Sequence, residues 1–274
     1  MEINQTSSFL ETSLGKTGIK VHRVGVSATY RPGRKTIYKA VDEGINYFFG
    51  YGIDTQMTGV MRDVLKRDRE QFVVATGVYN FIFRYQNIRK TLEKRLRQFG
   101  TDYIDVFLFL GVTKEKQFPL SAREELYRLH DEGKVRAVGM STHDRKFAGT
   151  LAQQGALDVM MIRYNAAHRG AEQDIFPYLQ SHNPGIVSFT ATRWRSLLRG
   201  PRKWTENEPL PSSGMAYRFV LSNPHVHVCM MAPSNLKQFE MNLKEIRKGR
   251  LDEEEITFMK RFGDEVYKRR KWFM

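Results

Sequence analysis

Apolar residues along this chain alternate between two periods, and the stretch from Ile88 to Val112 shows both. Ile88, Leu92, Leu96 and Phe99 recur at helical spacing, with Arg89, Lys90, Glu93, Arg95 and Arg97 between them, so the segment reads as an amphipathic helix with one apolar stripe. Gly100 ends it, and Tyr103 to Leu110 is a nearly unbroken apolar run, the pattern of a strand buried on both faces as parallel sheets require. The same beat runs through the chain. Strands are predicted at Val24–Ser27, Ile45–Phe49, Phe72–Thr76, Tyr103–Leu110, Val135–Met140, Val159–Ile162, Ile186–Thr190 and Val226–Met231. Helical patterns follow them near Lys35–Glu43, Thr58–Lys66, Ile88–Phe99, Ala122–Glu132, Arg145–Gln153, Asp174–Gln180, Met215–Leu221 and Leu236–Ile246. Eight strands alternating with eight helices is the count of an α/β fold of the (β/α)8 TIM-barrel type.

The flanking segments add to the barrel. Phe9–Leu14 and Ile19–Val21 bracket the glycine-bounded turn Gly15-Lys16-Thr17-Gly18, which predicts an N-terminal β-hairpin. Asp252–Arg270 opens on acids and closes on bases, the order a helix dipole prefers, and predicts an extra C-terminal helix. Gly133 closes a helix before a strand, and Ser141 to Asp144 offers capping side chains after one. The proline-bearing segment Arg199–Gly214 reads as a lid or pocket wall. Nothing in the 274 residues looks like a linker, so residues 1–274 are expected to form one barrel domain.

Composition narrows the setting. The longest apolar run is too short to span a bilayer, and MEINQTSSF carries no basic segment followed by an apolar one, so neither a membrane span nor secretion is expected. The single Cys229 cannot form an internal disulfide, which fits a cytoplasmic location. The net charge of +14 attracts anions, yet the bases are mixed with acids along the predicted helices, and no base-reading motif accompanies them, so no specific nucleic-acid partner is expected. YKRRKWFM is the densest basic-aromatic cluster, read as the end of the last helix packed by Trp272 and Phe273. The oligomeric state is not legible.

LGKTGIKVHRVGVS, LEKRLRQFGTDYIDVFLFL, DEGKVRAVGMS and APSNLKQFEMN, in that order, resemble the opening hairpin and first strand, the third helix and fourth strand, the fifth strand and the eighth strand-to-helix turn of the aldo-keto reductases. The resemblance covers most of the chain. It implies carbonyl reduction with a nicotinamide cofactor, using an Asp, a Tyr, a Lys and a His at the carboxyl ends of the strands. The tyrosine gives the proton. A free phenol has a pKa near ~10, so an adjacent ammonium is needed to bring it toward working pH.

This sequence departs from that pattern. Phe49 stands where the aspartate is expected, Gly77 where the lysine is expected and Leu110 where the histidine is expected, while Tyr51 still matches the tyrosine. The resemblance carries the cofactor contacts onto Ser141, Ser234, Asn235, Gln238 and Asn242, with NADP(H) as the implied cofactor and Lys237 as added charge. Its carboxamide-holding glutamine becomes Met161 and its stacking tyrosine falls near Thr190.

Tyr51 is either a surviving proton donor or pocket lining. His143 lies just past the fifth barrel strand, on the face where barrel enzymes place their chemistry, and is either catalytic or a flanker of a helix start. Arg163, Asn165, His168 and Arg169 after the sixth strand, and Thr190, Thr192, Arg193 and Trp194 after the seventh, crowd polar groups toward the mouth. Arg163, Asn165, Arg193 and Trp194 are taken as a substrate pocket able to grip an anionic small molecule, or else as salt-bridging with Glu172 and Asp174. His225, His227 and Cys229 alternate on one strand face but begin at its amino end with no further ligand beside them, so no metal is expected.

Three functions follow. The first is an aldo-keto-reductase-like pocket protein that keeps nucleotide or phosphate affinity while carbonyl reduction is weak or lost. The second is a non-redox lyase or isomerase built on Tyr51, His143, Arg163 and Arg193, and the third is a non-catalytic interaction protein.

Overall fold

A computed structural model describes residues 9–79, 87–201, 204 and 208–268 of the chain. Eight parallel strands close into a barrel: β3 (Val24–Ser27), β4 (Tyr47–Phe49), β5 (Val73–Tyr79), β6 (Ile104–Val112), β7 (Val135–Thr142), β8 (Val159–Arg163), β9 (Gly185–Phe189) and β10 (Val228–Met231), with β10 pairing back onto β3. Each strand is apolar on both faces. Alternate residues along each strand, such as Val73, Ala75, Val106, Leu108 and Val187, fill the interior, while Val74, Phe107 and Ile186 face the surrounding helices. The expected (β/α)8 barrel is therefore the architecture, preceded by the antiparallel hairpin β1 (Glu11–Ser13) and β2 (Lys20–His22). Leu14, Ile19 and Val21 of that hairpin belong to the interior cluster, so the hairpin plugs the amino-terminal end and leaves the carboxyl end open.

The helices are α1 (Arg34–Asp42), α2 (Thr55–Leu65), α3 (Ile88–Phe99), α4 (Leu120–Asp131), α5 (Arg145–Gln153), α6 (Ala171–Asp174), α7 (Ser213–Ser222), α8 (Leu236–Ile246) and α9 (Glu253–Lys268). Three expectations change. The helix predicted at Asp174–Gln180 is instead the short α6 followed by a 3-10 turn at Phe176–Tyr178, because Pro177 lacks the N–H an α-helix needs and disfavours helical geometry in the residue before it. The segment expected as a lid is docked, in its described residues, onto α9: the Trp204 ring lies 4.7 Å from that of Phe262, and Glu208 pairs with Arg261 at 2.7 Å. Arg95, placed among the polar residues of α3 by the sequence pattern, is buried. Residues 202–203, 205–207 and the tail with Trp272 and Phe273 lie outside the described residues. No described helix is long and apolar enough to cross a membrane.

One irregularity shapes the open end. The β6–β7 register shifts between Phe109 and Val112, where Gly111 takes φ +78°. A bulge of this kind, with a left-handed glycine, bends the end of β6 locally, and Leu110 and Gly111 both line the cavity.

Candidate active site

The open end holds a cavity of about 310 Å³, a size common to small-molecule sites. Its floor is Phe49, Leu110, Met161 and Met230 from the ends of β4, β6, β8 and β10. Its walls carry hydroxyls from Thr29, Tyr51, Tyr79, Ser141 and Thr190, the His143 ring, and the half-exposed aromatics Tyr30 and Trp194 at the rim. Among the described lining residues there is no lysine, arginine, aspartate or glutamate.

Tyr51 follows β4 directly and is fixed by aromatic neighbours. Its ring meets Phe49 edge-on at 4.9 Å and lies nearly parallel to Tyr79 at 6.3 Å. The Thr29 hydroxyl donates to its phenol oxygen at 3.3 Å. Beyond it the chain turns through Gly52 at φ +78° into α2, whose first N–H groups are capped by Asp54 Oδ1 at 3.0 and 3.1 Å. Partial burial pushes the Asp54 carboxyl upward. Beneath the turn lies Arg95, which donates to Gln98 Oε1 at 2.8 Å, while Gln98 in turn donates to the Gly52 carbonyl at 2.8 Å. Burial lowers the pKa of this guanidinium. Burial also raises the Tyr79 phenol well above its ordinary value, the neighbouring Tyr51 adding to the rise and Arg95 opposing it.

His143 is reached from β7, its N–H donating to the Val112 carbonyl at 2.9 Å. Its ring stands edge-on to Phe189 at 5.4 Å, and burial, with Arg163 adding to it, lowers its pKa to about 4. The imidazole is therefore neutral at physiological pH.

Of the residues proposed from sequence, Tyr51, His143, Ser141 and Trp194 come together around this cavity. Arg163, Asn165 and Arg193 are not in its lining. Arg163 lines a separate small void with Thr142 and Arg145. Asn165 is fully buried and structural, donating to the Thr190 carbonyl at 2.9 Å and accepting from the Ala167 N–H at 3.0 Å. Arg193 donates to the Val266 carbonyl of α9 at 2.6 Å, and Arg169 pairs with Asp264 of the same helix at 2.7 Å. Arg193 thus leads outward, where the chain after β9 turns through left-handed φ at Arg193, Trp194 and Arg195, while Arg163 at the end of β8 shares its small void with His143. Tyr79 and Arg95 were missed. Tyr79 is two residues beyond Gly77, the next inward position of β5, and Arg95 lies three residues after Leu92 on the apolar stripe of α3; both spacings were readable.

The turn from β10 into α8 carries the remaining residues. Asn235 caps the helix by accepting from the Gln238 N–H at 2.9 Å, and Gln238 Oε1 accepts from the Ser234 N–H at 2.9 Å. Arg195 reaches across to the Ser234 hydroxyl at 3.2 Å. Asn242 is turned inward, accepting from Ser213 and contacting the Met231 sulfur at 3.5 Å. A basic side chain, a hydroxyl and a helix start suit a phosphate, so this end fits the anionic part of a dinucleotide. The nicotinamide end does not fit: Met161 and Thr190 stand where amide recognition and ring stacking are expected.

Among the described residues no three His, Cys, Asp or Glu side chains gather in a metal-binding arrangement. His227 Nδ1 accepts from the Ile186 N–H at 2.9 Å, and Cys229 is buried, with burial raising its thiol pKa.

A closed eight-stranded parallel barrel, plugged below and open to a cavity at the carboxyl ends of its strands, defines a (β/α)8 barrel. The aldo/keto reductase family model matches residues 27–264, and the chain belongs to that family. The chain is similar to the aldo-keto reductase YhdN of Bacillus subtilis, with 27% identity over 213 residues, covering 69% of this chain and 62% of that protein. It is also similar to the NADH-specific methylglyoxal reductase of Escherichia coli, with 27% identity over 191 residues, covering 58% of this chain and 59% of that protein. The matched region thus spans about three fifths of these relatives. The holo form of aldo-keto reductase AKR11C1 from Bacillus halodurans shares the fold, with a TM-score of 0.76 at 19% identity over 92% of this chain and 95% of that one.

Proposed function

We propose that this aldo-keto-reductase-family barrel holds a small molecule at its mouth, keeps affinity for a nucleotide phosphate at the β10–α8 turn, and carries out little or no ordinary carbonyl reduction. The observation that carries this reading is the uncharged lining around Tyr51. Proton donation from a phenol near neutral pH needs a cation beside the oxygen, and the described lining has none; Phe49 and Leu110 occupy the floor as apolar groups. Arg95 lies under the neighbouring Gly52 and is bonded to Gln98, so its place is that of a support for the turn.

The reading of a lyase or isomerase draws less support, since two of its four residues, Arg163 and Arg193, are not in the cavity lining. The single buried cysteine accords with a reducing, cytoplasmic setting.

The test is NADPH oxidation with small aldehydes, together with titration of NADPH and NADP by cofactor fluorescence. The expected result is saturable cofactor binding with turnover no higher than that of Tyr51→Phe. Aldehyde-dependent turnover at rates usual for reductases, abolished in Tyr51→Phe, would refute it.

A further inference from the structure

Several cations of the outer helices are neutralised where they stand. Lys39 and Arg247 share Glu43, Arg89 pairs with Glu125 and Glu132, Arg261 with Glu208 and Lys268 with Glu265. The face made by α2 and α3 differs. Arg62 and Lys66 at the end of α2, and Lys90, Lys94 and Arg97 on α3, are exposed and form no ion pair among the described residues. Asp63, the only acid of α2, is turned toward α1, where it accepts from Arg34 at 2.8 Å and from the Tyr38 hydroxyl at 2.7 Å. Glu93 is the only acid of α3, and Asp68, Glu70 and Asp102 follow beyond the helix ends.

The spacing makes these cations one surface. Lys90, Lys94 and Arg97 stand at i, i+4 and i+7, one side of the helix, and reach about 10 Å along it. Arg62 ties the second row to the first, its Nε and Nη2 donating to the Gln98 carbonyl at the carboxyl end of α3 at 3.2 and 2.7 Å. Those bonds satisfy its donors without cancelling its charge.

We propose that this face docks the phosphate backbone of double-stranded nucleic acid without reading its sequence. Cations alone bind such a polyanion, because each phosphate contact releases condensed counterions. Other anionic partners need side chains this face lacks. Among the described residues no exposed large apolar side chain comes from α2 or α3; Ile53 precedes the end of α2 opposite Arg62 and Lys66. The face therefore has no apolar stripe to enter a bilayer, no aromatic or aliphatic anchor for an acidic protein, and no platform for unpaired bases. Arg62 and Arg97 add forked donors that suit phosphate oxygens. Backbone docking also agrees with the want of a base-reading motif in the sequence.

The test is fluorescence anisotropy of a labelled DNA duplex of about 20 base pairs titrated with the full chain between about 50 and 200 mM salt. Contacts from all five cations set the slope of log affinity against log salt at about −4 to −5. Lys90→Gln/Lys94→Gln/Arg97→Gln is expected to lower affinity at least about tenfold at low salt and to flatten the slope by about 3. Lys94→Gln alone should flatten it by about 1, so the result does not hang on the triple variant. Lys244→Gln/Lys248→Gln/Lys268→Gln removes the same net charge around α8 and α9 and should change affinity less than about threefold. Equal losses in the two triple variants, an unchanged slope, tighter binding of oligothymidine than of duplex, displacement of the duplex by phosphatidylglycerol vesicles, or no duplex binding would each overturn the assignment.

Discussion

Replacing Gly52 by alanine should cost far more than its small size suggests, and the excess should come from Arg95. Gly52 holds φ +78°, so any L-residue there loses about 1–2 kcal/mol on backbone grounds. A Cβ at this position would lie 1.9 Å from the Arg95 Cζ and 1.9 Å from Nη1, closer than any real contact, so the guanidinium must move. It is 4% exposed, and its described side-chain acceptor is Gln98 Oε1; displacing it strips a buried cation of that bond at about 1–3 kcal/mol. The total is about 2–5 kcal/mol. Gly44 is the control: its φ is +82° and nothing lies within 4 Å of its added Cβ, so Gly44→Ala should lose only the backbone part. Urea unfolding of both variants, with Arg95→Ala and the Gly52→Ala/Arg95→Ala double variant, reads the coupling directly. Equal losses for the two glycines, to within about 0.5 kcal/mol, or strict additivity in the double variant, would show that Arg95 does not support the Tyr51 turn.

Two further outcomes are open to measurement. Gly77→Lys should not restore reductase activity and should lower the melting temperature, because a Cβ there would lie 2.1 Å from the Leu108 carbonyl oxygen of the neighbouring strand; a stable variant that gains aldehyde reduction would refute this. Acid should destabilise the fold through His22, His143 and His227, whose pKa values are each lowered by burial to about 4. Above the ordinary value of 6.5 both folded and unfolded forms are neutral and stability is flat. As pH falls from 6.5 toward 4 the unfolded chain takes up protons first and stability drops, levelling once the folded form also protonates. For His22, 8% exposed, the full loss is about 3 kcal/mol. Urea midpoints that do not change between pH 7 and pH 4.5 in the wild type, or that His22→Gln leaves equally sensitive, would contradict the assignment.

The barrel was legible because its strands announce themselves. A run such as Ile104 to Leu110, apolar at every position but Asp105, has no solvated face to hide, and its alternation with amphipathic helices leaves few topologies. Phe49 and Leu110 were legible as apolar ends of their strands, and both line the cavity. The direction of the mouth arginines was not. Arg193 follows β9 closely, yet three consecutive left-handed residues rotate it toward α9, and no periodicity reports a loop of that kind. Arg95 was hidden for another reason: helical spacing placed it on the stripe, but an arginine is presumed solvated unless a partner is visible, and its partner Gln98 lies on the same helix.

The three departures at the mouth make better sense together than one by one. In the pattern this chain resembles, an aspartate and a lysine both stand at the carboxyl ends of strands, where two opposite charges close together would offset each other's desolvation. Removing one alone strands a buried charge, a change that typically costs several kcal/mol, whereas removing both leaves only apolar surface to be packed. Leu110 fills the space beside Gly77, where an added Cβ would lie 2.8 Å from its Cγ. The aromatic cluster of Phe49, edge-on to Tyr51, and Tyr79, nearly parallel to it, packs beside them. The described floor of Phe49, Leu110, Met161 and Met230 offers the Tyr51 phenol no cation, and the proposal of little or no carbonyl reduction stands on that absence among the described residues.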